Sequence, residues 1–211
     1  MDWAWVGSHL DDIQHLLLQH ITFTVSALFF GFIIAFPLAL VAARYPGLYQ
    51  PILGITGVLF TIPSIALFLL LLPFTGLSET TCILGLTIYT LLVLVRNTVE
   101  GLRGVPDDVK EAAEAMGYRP LALLMKVELP IALPVVIAGL RIAAVTTIGL
   151  VTITALITFG GLGAFFIDGF RRDFATPIIV GIVLSVALAV AADLSLVGVQ
   201  RVLTPWARTR R

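Results

Sequence analysis

Long apolar runs separated by short polar links make up most of this chain. Runs with at most one charged residue fall at roughly 21–43, 52–72, 81–95, 132–158 and 178–197. About 20 apolar residues in a helix rise about 30 Å, enough to cross the hydrocarbon core of a bilayer. The pattern predicts an all-α polytopic membrane protein with five transmembrane helices in one unit over 21–197. Punctuation between the runs is clear: Arg44-Tyr45-Pro46-Gly47, the link from Pro73 to Thr80, and Gly160-Gly161-Leu162-Gly163. Pro63-Ser64 falls inside the second run, where a proline frees a carbonyl and kinks the helix. The third run continues beyond Arg96 as a helix into a polar loop. Residues 1–20 are amphipathic and too short of apolar length to span. Trp3, Trp5, Leu10, Ile13 and Leu16–Leu18 suit the membrane interface, with Asp2, Asp11 and Asp12 in water. Residues 198–211 form a basic tail.

Composition sharpens this picture. The 211 residues are 59% apolar and only 12% charged, against about 25% charged in soluble domains. A single cysteine, Cys82, excludes an intrachain disulfide and a cysteine metal site. His9, His15 and His20 all fall in the first 20 residues, and nothing in their spacing makes them converge on a metal. Interfacial polar positions account for them. The N-terminus carries acids where a signal peptide needs a basic region, so it is expected to stay uncleaved. No G-x-x-x-x-G-K-[ST], H-E-x-x-H or G-x-S-x-G occurs. No catalytic residue, metal or cofactor is predicted, and any ATP consumed must be bound by another chain.

The one island of charge and helix signals is 105–130. Val109, Ala112, Ala113 and Met116 recur at i, i+3, i+4 and i+7, one face of a helix. Pro106 suits its first turn, and Asp107 and Asp108 suit the positive end of its dipole. Gly117 is placed to end it in the left-handed conformation. A second short helix fits Pro120 to Val127, with Leu121, Leu124 and Met125 on one side, before Leu129-Pro130 is expected to break it. Two short helices joined by a tight turn make a docking element rather than a span. Ala112-Ala113 followed by Gly117 also fits a DNA-reading helix-turn-helix. Residues 96–130 hold five Lys/Arg against six Asp/Glu, and a phosphate-binding surface should be basic. Nucleic acid is excluded as a partner on that ground.

Glu111-Ala112-Ala113, then Gly117, then Val127-Glu128-Leu129-Pro130 resembles the EAA loop of ABC-transporter permeases, with Val at 127 where the family pattern has Ile. Thr61-Ile62-Pro63-Ser64-Ile65-Ala66-Leu67, Val95-Arg96-Asn97-Thr98, Lys126 to Pro134 and Gly160-Gly161-Leu162-Gly163 resemble permeases for glycine betaine, carnitine and choline. The chain departs from them at Phe60, where Gln is usual, and at Thr158-Phe159, where Gly-Ala is usual. The resemblance implies an osmoprotectant importer subunit of the inner membrane. Glu111, Ala112, Ala113, Gly117, Leu129 and Pro130 would then belong to a cytoplasmic coupling element seated in an ATPase subunit. It also implies a second permease chain and an extracytoplasmic solute-binding protein. Amino acids or other small solutes, as in a methionine-type importer, are the alternative cargo, and a non-transporting membrane scaffold is the alternative from another class. With the 96–130 loop in the cytoplasm, five spans put the N-terminus outside and the C-terminus inside. Of the 13 Lys and Arg residues, only Arg171 and Arg172 then lie outside, in keeping with the positive-inside rule.

Inside the spans a few polar residues stand out. Thr147, Thr152 and Thr154 on the fourth run, with Pro63 and Ser64 on the second, are candidates for a polar wall of the solute path. Small and hydroxyl residues also serve helix packing in membranes, and both readings stay open. Arg141 and Asp193 are charges at membrane depth, where pairing or a cavity is expected. Phe159, Phe165, Phe166, Phe170 and Phe174 crowd the outer link. Aromatic faces attract quaternary ammonium groups, but interfacial anchoring and packing use the same residues.

Overall fold

In the computed structural model, which describes residues 1–157 and 159–208, every regular element is helical. Chain order is α1 (Trp3–Ser8), α2 (Leu10–Arg44), α3 (Pro46–Thr61), α4 (Ser64–Thr75), α5 (Glu79–Arg103), α6 (Asp107–Ala115), α7 (Pro120–Leu123), α8 (Leu129–Thr154), α9 (Ala164–Arg171) and α10 (Ala175–Leu203). Four helical segments among these residues are long and apolar enough to cross a membrane: α2, α5, Pro120–Thr154 and α10. The bent pair α3 and α4 makes five if it counts as one span. Thr158 and residues 209–211, including the predicted end of the fourth run and the last of the basic tail, lie outside the described residues.

Helix α5 is the hub. It packs against α2 on one side and α8 on the other, with α3 and α4 also touching it; α10 lies outside α8. Of its most apolar stretch 61% is buried, against 22% for α10. Lipid selects apolar side chains on exposed helices, whereas a helix enclosed by protein can carry hydroxyls whose hydrogen bonds close locally. Thr81, Thr87, Thr90 and Thr98 of α5 are all buried. On the facing side of α2, Ala27, Gly31, Ala35 and Ala39 recur every four residues and are buried. This is the small-residue ridge that lets two membrane helices approach closely. A Cβ built on Gly31 would come within 1.9 Å of Thr90 Oγ1.

Three expectations are revised. The second apolar run is broken rather than merely kinked at its proline. Ile62 and Pro63 leave the helix in extended geometry, and α3 and α4 meet at 96°. The Ile62 carbonyl left free there is capped by the Tyr89 hydroxyl of α5. Leu129-Pro130 does not break the chain either. Residues Leu124–Glu128 form a π turn, in which the Leu129 N–H reaches back five residues to the Leu124 carbonyl. The wider turn accommodates the missing donor and the ring of Pro130, so one helical column runs from Pro120 to Thr154. Finally, no boundary falls between residues 20 and 21. Helix α2 starts at Leu10, and His20 is fully buried rather than interfacial.

The contact of Gly31 with Thr90 is testable. Gly31→Val is expected to lower the stability of the detergent-solubilised protein by about 1–3 kcal/mol, as overpacking does. Thermal unfolding of Gly31→Ala with and without Thr90→Ala checks the cause. Removing the threonine hydroxyl should restore part of the loss, and additive losses would point elsewhere.

Candidate functional site

Two short helices form where the loop predicted them, with their residues in unexpected positions. Helix α6 ends in two bonds that satisfy its last carbonyls: Gly117 N–H to Glu114 O at 2.8 Å and Tyr118 N–H to Ala113 O at 3.2 Å. This pair is the Schellman motif, which needs a left-handed residue at the turn. Gly117 supplies it, with φ +84°. Of the predicted apolar face only Ala113 is buried, at 2% exposure, and Leu123 of α7 is buried with it. Ala112 and Glu111 are exposed. Met116, Leu121 and Met125 remain 71%, 71% and 57% exposed. Ala113 and Leu123 are thus covered, while the larger apolar side chains stay uncovered among the exposed charges of Glu111, Glu114, Arg119 and Lys126. Leu129 and Pro130 are half-buried within the helical column. Leu129 packs against Leu102, Ala132 and Val136, tying the element to α5 and α8. A cleft of about 460 Å³ beside it is lined by the ends of α2 and α5, including Arg44 and Arg103, and by Lys110 and Glu128.

Arg141 and Asp193 meet. Arg141 Nε lies 2.7 Å from Asp193 Oδ1 and Nη2 lies 2.9 Å from Oδ2. This two-bond fork is the strongest geometry available to a guanidinium and a carboxylate. Because the helical column starts at Pro120, the pair joins α8 near its middle to α10. Each side chain is 32% exposed in the single chain.

The candidate path residues divide between two faces of α8. Thr147 and Thr154 are buried against the bundle, and Thr154 Oγ1 donates within its own loop to the Phe159 carbonyl. Thr152 is half-buried, while Thr146 and Gly149 are exposed. Pro63 is exposed and Ser64 half-buried at the α3–α4 break. Periodicity alone could not tell which stripe of α8 faces its neighbours. The five phenylalanines do not form a cage within this chain. Phe165 is buried and edge-on to Trp5, which also packs on Phe174. Phe159 joins the cluster of Phe23, Phe68 and Val151, and only Phe170, 84% exposed, is free of cover. The small-residue ridge of α2, the Tyr89 cap and the enclosure of His20 were not anticipated. The four-residue spacing of Ala and Gly on α2 was a readable signal for the first; nothing local announced the other two.

These features define a class: a polytopic helical membrane protein in which one long helical column continues from a pair of short, exposed helices. The chain belongs to the family of binding-protein-dependent transport system inner membrane components, whose model matches residues 16–208. It is an inner-membrane protein. It is 36% identical over 188 residues to the glycine betaine/carnitine/choline transport system permease protein OpuCD of Bacillus subtilis (strain 168), covering 89% of this chain and 82% of that one. It is also 36% identical to the osmoprotectant import permease protein OsmW of Salmonella typhimurium, over 92% of each chain. Among solved structures it resembles the MetNI methionine ABC transporter in an inward-facing conformation. There the TM-score is 0.80 at 26% identity, over 91% of this chain and 96% of that one.

The Arg141–Asp193 fork generates a direct test. Either Arg141→Ala or Asp193→Ala should lower the melting temperature, because a lone charge is left at membrane depth. The swap Arg141→Asp with Asp193→Arg should recover part of it. Thermal melts of the four proteins in one detergent check this, and single variants as stable as the parent would contradict it.

Proposed function

We propose that this chain is the membrane-spanning subunit of an ATP-driven importer for osmoprotectants such as glycine betaine, carnitine or choline. The observation that carries the reading is the docking element. Its uncovered Leu121 and Met125 sit at the start of the helical column that becomes α8, with Met116 just before it, so a movement imposed on the element is delivered to a span. The relatives' names support the cargo. The sequence holds no phosphate-binding loop, so ATP is bound and hydrolysed by a separate cytoplasmic subunit seated on this element. A second permease chain, identical or homologous, completes the path, and a solute-binding protein docks on the opposite side. The N-terminus then faces outward and the C-terminus the cytoplasm, which suits the distribution of Lys and Arg. Transport by alternating access needs two arrangements of the spans with different affinity for ATP and for the loaded binding protein.

The likeness to a methionine transporter favours a second cargo reading, amino acids. Uptake of labelled glycine betaine, choline, carnitine and methionine by vesicles holding the complete complex separates the two. Betaine, choline or carnitine uptake is expected, and methionine uptake alone would favour the alternative.

The coupling role makes a sharper prediction. A β-branched residue at the Gly117 conformation costs about 1–2 kcal/mol locally, and Glu111→Lys reverses an exposed charge without touching the spans. Both Gly117→Val and Glu111→Lys should insert normally yet lose ATPase capture in a pull-down and solute-stimulated hydrolysis. Parental levels of both in either variant would falsify its part in coupling.

A further inference from the structure

His20 lies toward the end of the bundle opposite the docking element, in the first third of α2, and is completely enclosed. Its ring joins two other elements. The Leu162 backbone N–H, in the Gly161–Gly163 turn, donates to Nδ1 at 3.3 Å. A ring nitrogen that accepts carries no proton, so Nε2 holds it and donates to the Ile148 carbonyl of α8 at 3.0 Å. The preceding residue repeats the grip: Gln19 Oε1 accepts the Gly161 N–H at 3.0 Å. Two consecutive side chains of α2 thus hold two consecutive N–H groups of one turn. The turn can come this close only because residue 161 is glycine, at φ +48°. A Cβ there would lie 2.7 Å from His20 Cβ and 2.9 Å from His20 Cα. Leu162 is itself fully buried, in a cluster with Phe165 and Val180 that Trp5, Leu16 and Leu17 flank. The turn leads directly into α9, whose last turn presents exposed Phe170 and Arg171.

We propose that His20 is a positioning residue for transport. It locks the turn that carries α9 onto α8, so that an event on the α9 side reaches the docking element through the Pro120–Thr154 column. This rests on the importer reading above, in which the α9 side receives the loaded binding protein. The column does not run straight into the turn: residues 155–157 leave the helix in turns, and Phe159 and Gly160 lie outside any helix. The His20 bridge bypasses these residues, joining the turn to α8 at Ile148, before the helix ends. A packing residue of equal size would fill the space but make neither bond.

The test uses the complete permease–ATPase complex in lipid vesicles with its purified binding protein and glycine betaine. His20→Leu keeps apolar bulk and removes both bonds; His20→Gln offers an amide donor and acceptor. ATP hydrolysis is measured with and without loaded binding protein, alongside uptake. The expected result for His20→Leu is basal hydrolysis near the parent, with the stimulated-to-basal ratio reduced about fivefold or more. His20→Gln should recover part of that ratio. Parental stimulation in His20→Leu, an equal fall in basal and stimulated rates, or no recovery by His20→Gln would overturn the proposal. If His20→Leu does not reach the membrane, Gln19→Met decides: a lowered ratio supports the lock and an unchanged ratio overturns it. A parental complex that loaded binding protein never stimulates would instead overturn the importer reading itself.

Discussion

The close approach of α2 to α5 is the contact on which the other packing depends. Lipid tails are as apolar as the side chains, so burial from water does not drive membrane helices together; close packing and satisfied polar groups do. The ridge Ala27, Gly31, Ala35 and Ala39 removes side-chain bulk along about three turns and brings α5 against α2. With α2, α8 and the bent α3–α4 pair around it, α5 is shielded enough to keep four buried threonines and to offer Tyr89 to the α3–α4 break. That break would otherwise expose a bare carbonyl in an apolar surrounding, which costs several kcal/mol. The free carbonyl at the break is thus tolerated because Tyr89 was first brought near.

Helix α8 converts this scaffold into a device with two ends. At its start the π turn lets Pro130 remain inside a continuous column, where an ordinary α turn would set its ring against the carbonyl four residues back. At its far end, Thr154 and His20 fasten the following loop and turn. Midway, the Arg141–Asp193 fork attaches α10, a helix with few buried side chains of its own. The charged pair adds to the packing of α10 on α8, since neither ion can be left alone at that depth.

The docking element follows the reverse logic. It is held by Ala113, Leu123 and Leu129, and its largest apolar side chains face outward. Uncovered methionines and leucines grouped there support the proposed docking role, and methionine suits such a surface because it adapts its shape.

The apolar runs, the polar links and the docking loop were legible along the chain because each is a local property. Length and hydropathy define a span, and Gly117 marks a left-handed turn wherever the helix before it ends. Glu111, Ala112 and Ala113 stood out only through their resemblance to a family pattern. What spacing could not reveal was which side of each helix would be covered. Thr147 and Thr152 look alike in sequence, yet one is enclosed and the other half-open, because α8 is rotated by its contacts with α5 and α10. Pro63 and Pro130 look alike as helix breakers, yet one ends a helix at 96° and the other rides through on a π turn. Tyr89 caps the first break, while the wider turn absorbs the second. His20 read as an interfacial polar residue, and its partners, 128 and 142 positions away, made it the most enclosed polar group on α2. Local periodicity determined the elements and their ends. The choice of faces and of long-range hydrogen-bond partners belonged to the tertiary structure, because burial and pairing are properties of what a side chain meets and not of the residues beside it.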